Sequence, residues 1–377
     1  MRSVAGTNVL GNGIGMNEQV KLPGLVATRF YAAAMIVLFH VIGLAQIETP
    51  DLLSFIPAHF GTGVPLFYIV SAFALCVGYS DKLSSRDELS FFFHRRFFRI
   101  APLFYVMMAV YFVFLYIRFG KITEPEMIAS SLFFVFNIIP GHVSGFVWAS
   151  WSIGVEMLFY AIFPLIMLAV TNTGRAFVFV LISCFIMTMW RQSFVGAPPE
   201  MVAFENYALA ANIHFFATGV FCYFLWRSAA GRRQEPVLGI AAIAASLIGA
   251  VLLVRFANAI LAGYGLPALD IVRAVVLGAF VLGMALNPIR LAVNRATIGM
   301  GETSYSLYLW HPLLISLLLS AGVYEAIEAR APNVMSSFLL CGLATFIALI
   351  PTAFLSYHTI ERWGARMSRR RRPAAAR

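Results

Sequence analysis

Arg29 and His40 stand eleven residues apart within one apolar stretch, Ala27 to Ile47. At 100° per residue they share a helix face, separated by roughly 16 Å along the axis, or about three turns. A guanidinium near one end and an imidazole at depth suit anion capture and proton transfer, respectively. Spacing alone does not choose between that reading and a snorkelling Arg29 with an interhelical hydrogen bond at His40. Arg96 and Arg99, in the run Arg95-Arg-Phe-Phe-Arg99-Ile-Ala-Pro102, point the same way on a helical turn and form a fork for phosphate. With Arg29 on the same level, the arginines make a seat for a polyphosphate at one mouth of a bundle; a basic membrane anchor is the alternative.

Glu156 falls about nine residues into another apolar run, where a carboxylate needs a partner. Counted from the helix ends, its depth matches that of His40. It is therefore expected to hydrogen-bond one nitrogen of His40 and fix the ring, with an arginine ion pair as the alternative. His311 is also mid-span and precedes Pro312; packing and catalysis fit it equally well. Asp270 and Arg273, near Arg255, could bind an acceptor, but a surface ion pair is the better reading. His59, His94, His142, His214 and His358 lie at span edges, in loops or off any motif, and receive no role. Cys76, Cys184, Cys222 and Cys341 occur singly in apolar runs with no metal-ligand spacing, so no metal is expected and all are read as small core residues.

The elements that must carry these groups follow from composition. Of 377 residues, 60% are hydrophobic and 12% charged, against about 25% charged in soluble domains. The repeated apolar runs, each near the roughly 20 residues of a membrane crossing, predict an all-α polytopic integral membrane protein, a bundle of about ten transmembrane helices. The run from Met127 to Ile139 is too short and is expected to be re-entrant or interfacial. Leaving it out places the basic loops at Ser80–Arg99 and Arg227–Pro236 and the basic C-terminus on one side, cytoplasmic by the positive-inside rule. Arg118, Lys121, Arg191 and Arg330 remain in outer loops, and both termini are inside. The division is then a cytoplasmic segment 1–26, a membrane domain 27–357 and a basic cytoplasmic tail 358–377. No signal-peptide core precedes Ala27, so the first helix serves as a signal anchor. The net charge of +10 is explained by these loops and needs no nucleic acid partner. Arg369 to Arg372 are expected on anionic headgroups at about 1 kcal/mol each. There is no internal repeat of the transporter kind.

Five segments in order resemble the membrane acyltransferase-3 family: Arg29-x10-His40; Gly61-Thr-Gly-Val-Pro-Leu-Phe-Tyr-Ile-Val-Ser71-Ala-Phe73; Arg95 to Pro102; Trp151-Ser-Ile-Gly-Val-Glu156-Met-Leu-Phe-Tyr160-Ala-Ile-Phe-Pro164; and Ser304-Tyr-Ser-Leu-Tyr308-Leu-Trp-His311-Pro312. Each is weak alone, but five in order are strong, and the match as a whole runs from Arg29 to Glu361, nearly the whole chain. Pro65 and Ala72, where the family commonly has Gly, depart from the pattern at positions that carry no chemistry. The resemblance implies a bacterial inner-membrane enzyme that transfers an acyl group, usually acetyl, from cytoplasmic acyl-coenzyme A to an extracytoplasmic hydroxyl, mostly on sugars of surface polysaccharides or on a glycolipid. It also implies that acylation is completed in the membrane domain, without an appended esterase-like domain.

On that footing Arg29, Arg96 and Arg99 are expected to bind acetyl-CoA, and His40 to act as general base or acyl carrier with Glu156 as orienter. His311, Tyr308, Ser71 and Trp151 are expected to touch substrate or support the site. A transporter or flippase for an anionic lipid or metabolite is the rival, opposed by the missing repeats and the mid-membrane His40.

Overall fold

A computed structural model describes residues 22–369. Of the described residues, 82% are helical and none lies in a strand. Eight helical stretches there are long and apolar enough to cross a membrane. The main helices are α1 (Pro23–Ala45), α2 (Gly63–Tyr79), α3 (Arg86–Phe119), α4 (Trp151–Ala169), α5 (Thr173–Gln192), α6 (Leu209–Ala229), α7 (Glu235–Leu286), α8 (Ser304–Ser320) and α9 (Val334–Ser356). The 52-residue α7 breaks at Gly265, φ 77° and ψ 176°, a backbone conformation that a Cβ disfavours. Each of its two arms is long and apolar enough for one crossing, which brings the helices closer to the ten expected. The 17-residue α8 covers the apolar run that opens at Ser304. This is an all-α polytopic membrane protein.

Some boundaries move. α1 starts at Pro23, ahead of the expected Ala27, because proline at the first helical position presets φ and gives up only an amide that has no helical partner. α3 starts at Arg86 behind a capping box in which Ser85 and Glu88 each bond the other's backbone amide. The expected loop up to Arg99 is thus helical, and Arg95, Arg96 and Arg99 ride on a rigid element. At the other end, α9 passes through a π-turn, Tyr357–Glu361, into Arg362–Arg369, which packs against α3. Residue 358 therefore marks no break in the helix, and Arg370 to Arg372 lie outside the described residues.

The interior is organised by α1, α2 and α6. α6 packs against both α2 and α5, and α1 against α2 and α8. A Cβ on Gly219 would stand 2.2 Å from the Ile69 carbonyl oxygen, so the α2–α6 contact is backbone to backbone. Tyr68 stacks on Phe216 at 4.4 Å and Phe216 on Phe159 at 4.1 Å, tying α2, α6 and α4 into one aromatic column. Outward faces carry apolar side chains as a bilayer demands: Phe185 on α5 is 64% exposed and Val251 on α7 69%.

The segment expected to be re-entrant is a helix of 8 residues, Pro125–Leu132, followed by turns that dip inward and bury Phe134, Phe136 and Asn137. Eight residues rise about 12 Å, too little to cross. Asn137 Nδ2 donates to the carbonyls of Trp151, at 2.9 Å, and Tyr207, at 3.1 Å. That pins the first turn of α4 beneath the inward-folded loop.

Candidate active site

Two groups of polar side chains meet inside the bundle. The first joins α1 and α8. His40 Nδ1 lies 3.0 Å from the Ile36 carbonyl oxygen and 3.1 Å from His311 Nε2. His311 Nδ1 lies 2.5 Å from the Tyr308 carbonyl oxygen. Pro312 explains that contact: it has no N–H to offer the carbonyl four residues back, which is Tyr308's, and the freed oxygen accepts from the imidazole instead. The Tyr308 hydroxyl donates to the Ala149 carbonyl at 2.7 Å and so accepts from Ser152 Oγ at 2.7 Å, which locks α8 to the start of α4. His311 is buried, whereas His40 is partly accessible.

A consistent proton assignment follows. If Nδ1–H of His311 donates to Tyr308, its Nε2 is an acceptor and takes the Nδ1–H of His40, shared with Ile36. His40 Nε2 is then left unprotonated and uncommitted by this network, the state a base or nucleophile requires.

The second group lies nearer the Arg29 end of α1. Glu156 accepts from Ser71 Oγ at 2.5 Å and from the Tyr160 hydroxyl through a short hydrogen bond. The Arg96 guanidinium sits 5.4 Å from the Tyr79 ring centre and 5.8 Å from that of Tyr160. Arg29 is within electrostatic range of Arg99, Tyr160, Glu156 and Arg96. Arginines from α1 and α3 thus face one carboxylate from α4, a net positive pocket wall suited to anionic groups.

Glu156 is therefore not the partner of His40. It bonds Ser71 and Tyr160 on the arginine side, and His311 holds the position expected for it. The depth count failed because it took the start of the apolar run as the start of the helix, whereas the loop at 133–150 folds inward and α4 starts only at Trp151. Trp151 itself stacks on Tyr207 at 4.3 Å, with its ring plane 13° from parallel.

Sequence reasoning missed Glu361. Its carboxylate is buried on the π-turn, accepts from Ser306 Oγ at 2.5 Å and lies 3.5 Å from an Arg99 nitrogen. A carboxylate at a membrane-helix end, four residues after an apolar run and next to Arg362, was the available signal. Asp270 is also corrected: far from a surface ion pair, it is 5% exposed and bridges Arg191 at 2.8 Å and Arg273 at 3.0 Å. Cys76, Cys222 and Cys341 are buried as expected, but Cys184 is only half-buried. Glu124, Glu126 and His142 bring one ligand atom each within 4.8 Å of one another, but both carboxylates are exposed and nothing further marks a site.

Against this geometry, a family model described as an acyltransferase domain matches residues 22–353. The chain belongs to the acyltransferase-3 family. Among its relatives, the exopolysaccharide production protein ExoZ of Rhizobium meliloti (strain 1021) is 29% identical over 335 residues, covering 83% of this chain and 92% of ExoZ. The acyltransferase MdmB of Streptomyces mycarofaciens is 28% identical over 159 residues, 39% of each chain. No solved structure matches at a significant level. The family makes the protein an acyltransferase, which removes the transporter as a reading of this membrane acyltransferase.

Proposed function

We propose that this acyltransferase moves an acyl group, acetyl in the simplest case, from acyl-coenzyme A on the cytoplasmic side to a hydroxyl of an extracytoplasmic glycan or glycolipid. The protein would sit in a bacterial inner membrane with both termini inside, its basic tail on anionic lipids. The observation that carries the reading is the uncommitted Nε2 of His40, held on the same α1 face as the arginine cluster eleven residues away.

Arg29, Arg96 and Arg99 take the donor's phosphates, and the pantetheine arm runs along α1 toward the histidines. An arm of that kind is needed to cover roughly 16 Å between the two groups. His40 Nε2 accepts the proton of the acceptor hydroxyl as its oxygen attacks the thioester carbonyl carbon. The carbon–sulfur bond breaks, and the leaving thiolate takes the proton from the imidazolium, giving the ester and free coenzyme A. His311 keeps the proton of His40 on Nδ1 throughout, the role an orienting partner plays in a catalytic triad. Arg96, flanked by two aromatic rings, offers a planar donor face that a lysine cannot reproduce.

ExoZ is named for exopolysaccharide production, which favours a glycan acceptor. The stacked Trp151–Tyr207 pair offers an aromatic surface near the start of α4 for such a group. The test is incubation of the purified protein with radiolabelled acetyl-CoA and candidate glycans. Coenzyme A release coupled to ester formation is the expected result; tight donor binding without transfer to any hydroxyl overturns the reading.

A further inference from the structure

The C-terminal ends of α2 and α6 border an open cavity of about 290 Å³ lined by Tyr79, Asp81, Lys82, Tyr223, Trp226 and Arg227 among others. Its size is close to the lower end of small-molecule sites, about 300 Å³. Tyr79 forms the wall shared with the arginine group, because the same ring lies 5.4 Å from the Arg96 guanidinium. The Tyr79 hydroxyl is buried on the side of Arg96. Trp226 is half-buried, braced by Phe73 at 5.8 Å and Tyr223 at 6.1 Å, while Lys82 is exposed. Arg227 pairs with Asp81 at 3.3 Å and bonds the Tyr223 hydroxyl at 3.3 Å. Both members of that ion pair are largely exposed, so it is weak and Arg227 is free to re-partner with an incoming phosphate.

We infer that this cavity receives the adenosine 3′-phosphate end of the acyl donor, with the purine against Trp226 and the phosphate between Lys82 and Arg227. The inference rests on the donor assignment above and extends it. A braced indole gives a purine a rigid stacking face, and two cations at a rim match a phosphate dianion. The diphosphate then continues past Tyr79 to Arg96, and the pantetheine arm onward to α1. An anionic lipid headgroup shares the phosphate chemistry but has no use for the indole face, so the nucleotide is the occupant that uses all of the site.

The test is equilibrium binding of coenzyme A and of 3′-dephospho-coenzyme A to the full chain purified in detergent, with adenosine 3′,5′-bisphosphate and phosphatidylglycerol as competitors. Coenzyme A should bind several-fold more tightly than the dephospho form, and Lys82→Ala, an exposed change that leaves packing alone, should erase most of that preference. Trp226→Ala should weaken both about tenfold, and Trp226→Phe should recover most of the loss. The bisphosphate should compete. Wild-type affinities in both Lys82→Ala and Trp226→Ala, with Arg96→Ala weakened, overturn this inference alone. Competition by phosphatidylglycerol and not by the bisphosphate also overturns it. Failure of the wild type to bind coenzyme A overturns the donor assignment together with it.

Discussion

His311 Nε2 lies 3.1 Å from His40 Nδ1, a contact between residues 271 positions apart that joins α8 to α1. His311 accepts at that atom because Pro312 has freed a carbonyl to hold its other nitrogen. His40→Ala should abolish transfer with donor binding retained. His311→Ala should slow transfer by about two to four orders of magnitude, the range seen when an orienting partner is lost. Single-turnover kinetics with donor binding measured in parallel checks both; near-normal transfer by His40→Ala refutes base and acyl-carrier mechanisms together.

Glu156 and His311 should separate in their pH dependence. Glu156 stands among Ser71, Tyr160 and Arg29 and makes no bond to His40. Glu156→Gln, which removes the α4 carboxylate facing the arginines, should leave the shape of the pH–rate profile unchanged, whereas His311→Gln should change it. A profile altered by Glu156→Gln would show that the carboxylate acts on His40 after all.

The arginine cluster predicts a graded series. Ala at Arg29, Arg96 or Arg99 should weaken donor binding, and Lys should rescue only partly at Arg96, where the guanidinium plane lies against two rings. Glu361→Gln should raise the donor KM with little change in kcat, because Glu361 holds Arg99 in place and touches no reacting group. Steady-state kinetics distinguishes this from a fold defect, which would lower the amount of active protein at unchanged KM.

Backbone contact between α2 and α6 makes Gly219 intolerant. Gly219→Val should lower stability by about 1–3 kcal/mol or more as the added carbons push against Ile69. Gly263→Ala, where nothing lies within 4 Å of the added carbon, should be neutral or slightly stabilising. Unfolding midpoints of the purified variants provide the comparison.

Orientation is open to labelling in a background without the native cysteines. Ser84→Cys and Gly231→Cys should react from the cytoplasmic side and Glu325→Cys from the opposite side. Reaction of Gly231→Cys from outside would require the segment after Lys121 to cross the membrane.

The sequence by itself determined the class of molecule and the family: long apolar runs require helices in lipid, and the arginine, Glu and His-Pro motifs kept their order along the chain. It also determined that Arg29 and His40 share a face, because helical periodicity is local. Which side chain meets which was decided only by the tertiary structure. Counting from helix ends assumes that every helix starts at the same surface, and the inward fold of 133–150 breaks that assumption for Glu156 alone. The pairing of His40 with His311, and of Arg99 with Glu361, spans hundreds of residues and depends on how close the helices approach. That approach is set by packing at positions such as Gly63, where a Cβ would meet the Ala32 carbonyl at 2.6 Å. No local pattern in the chain encodes it.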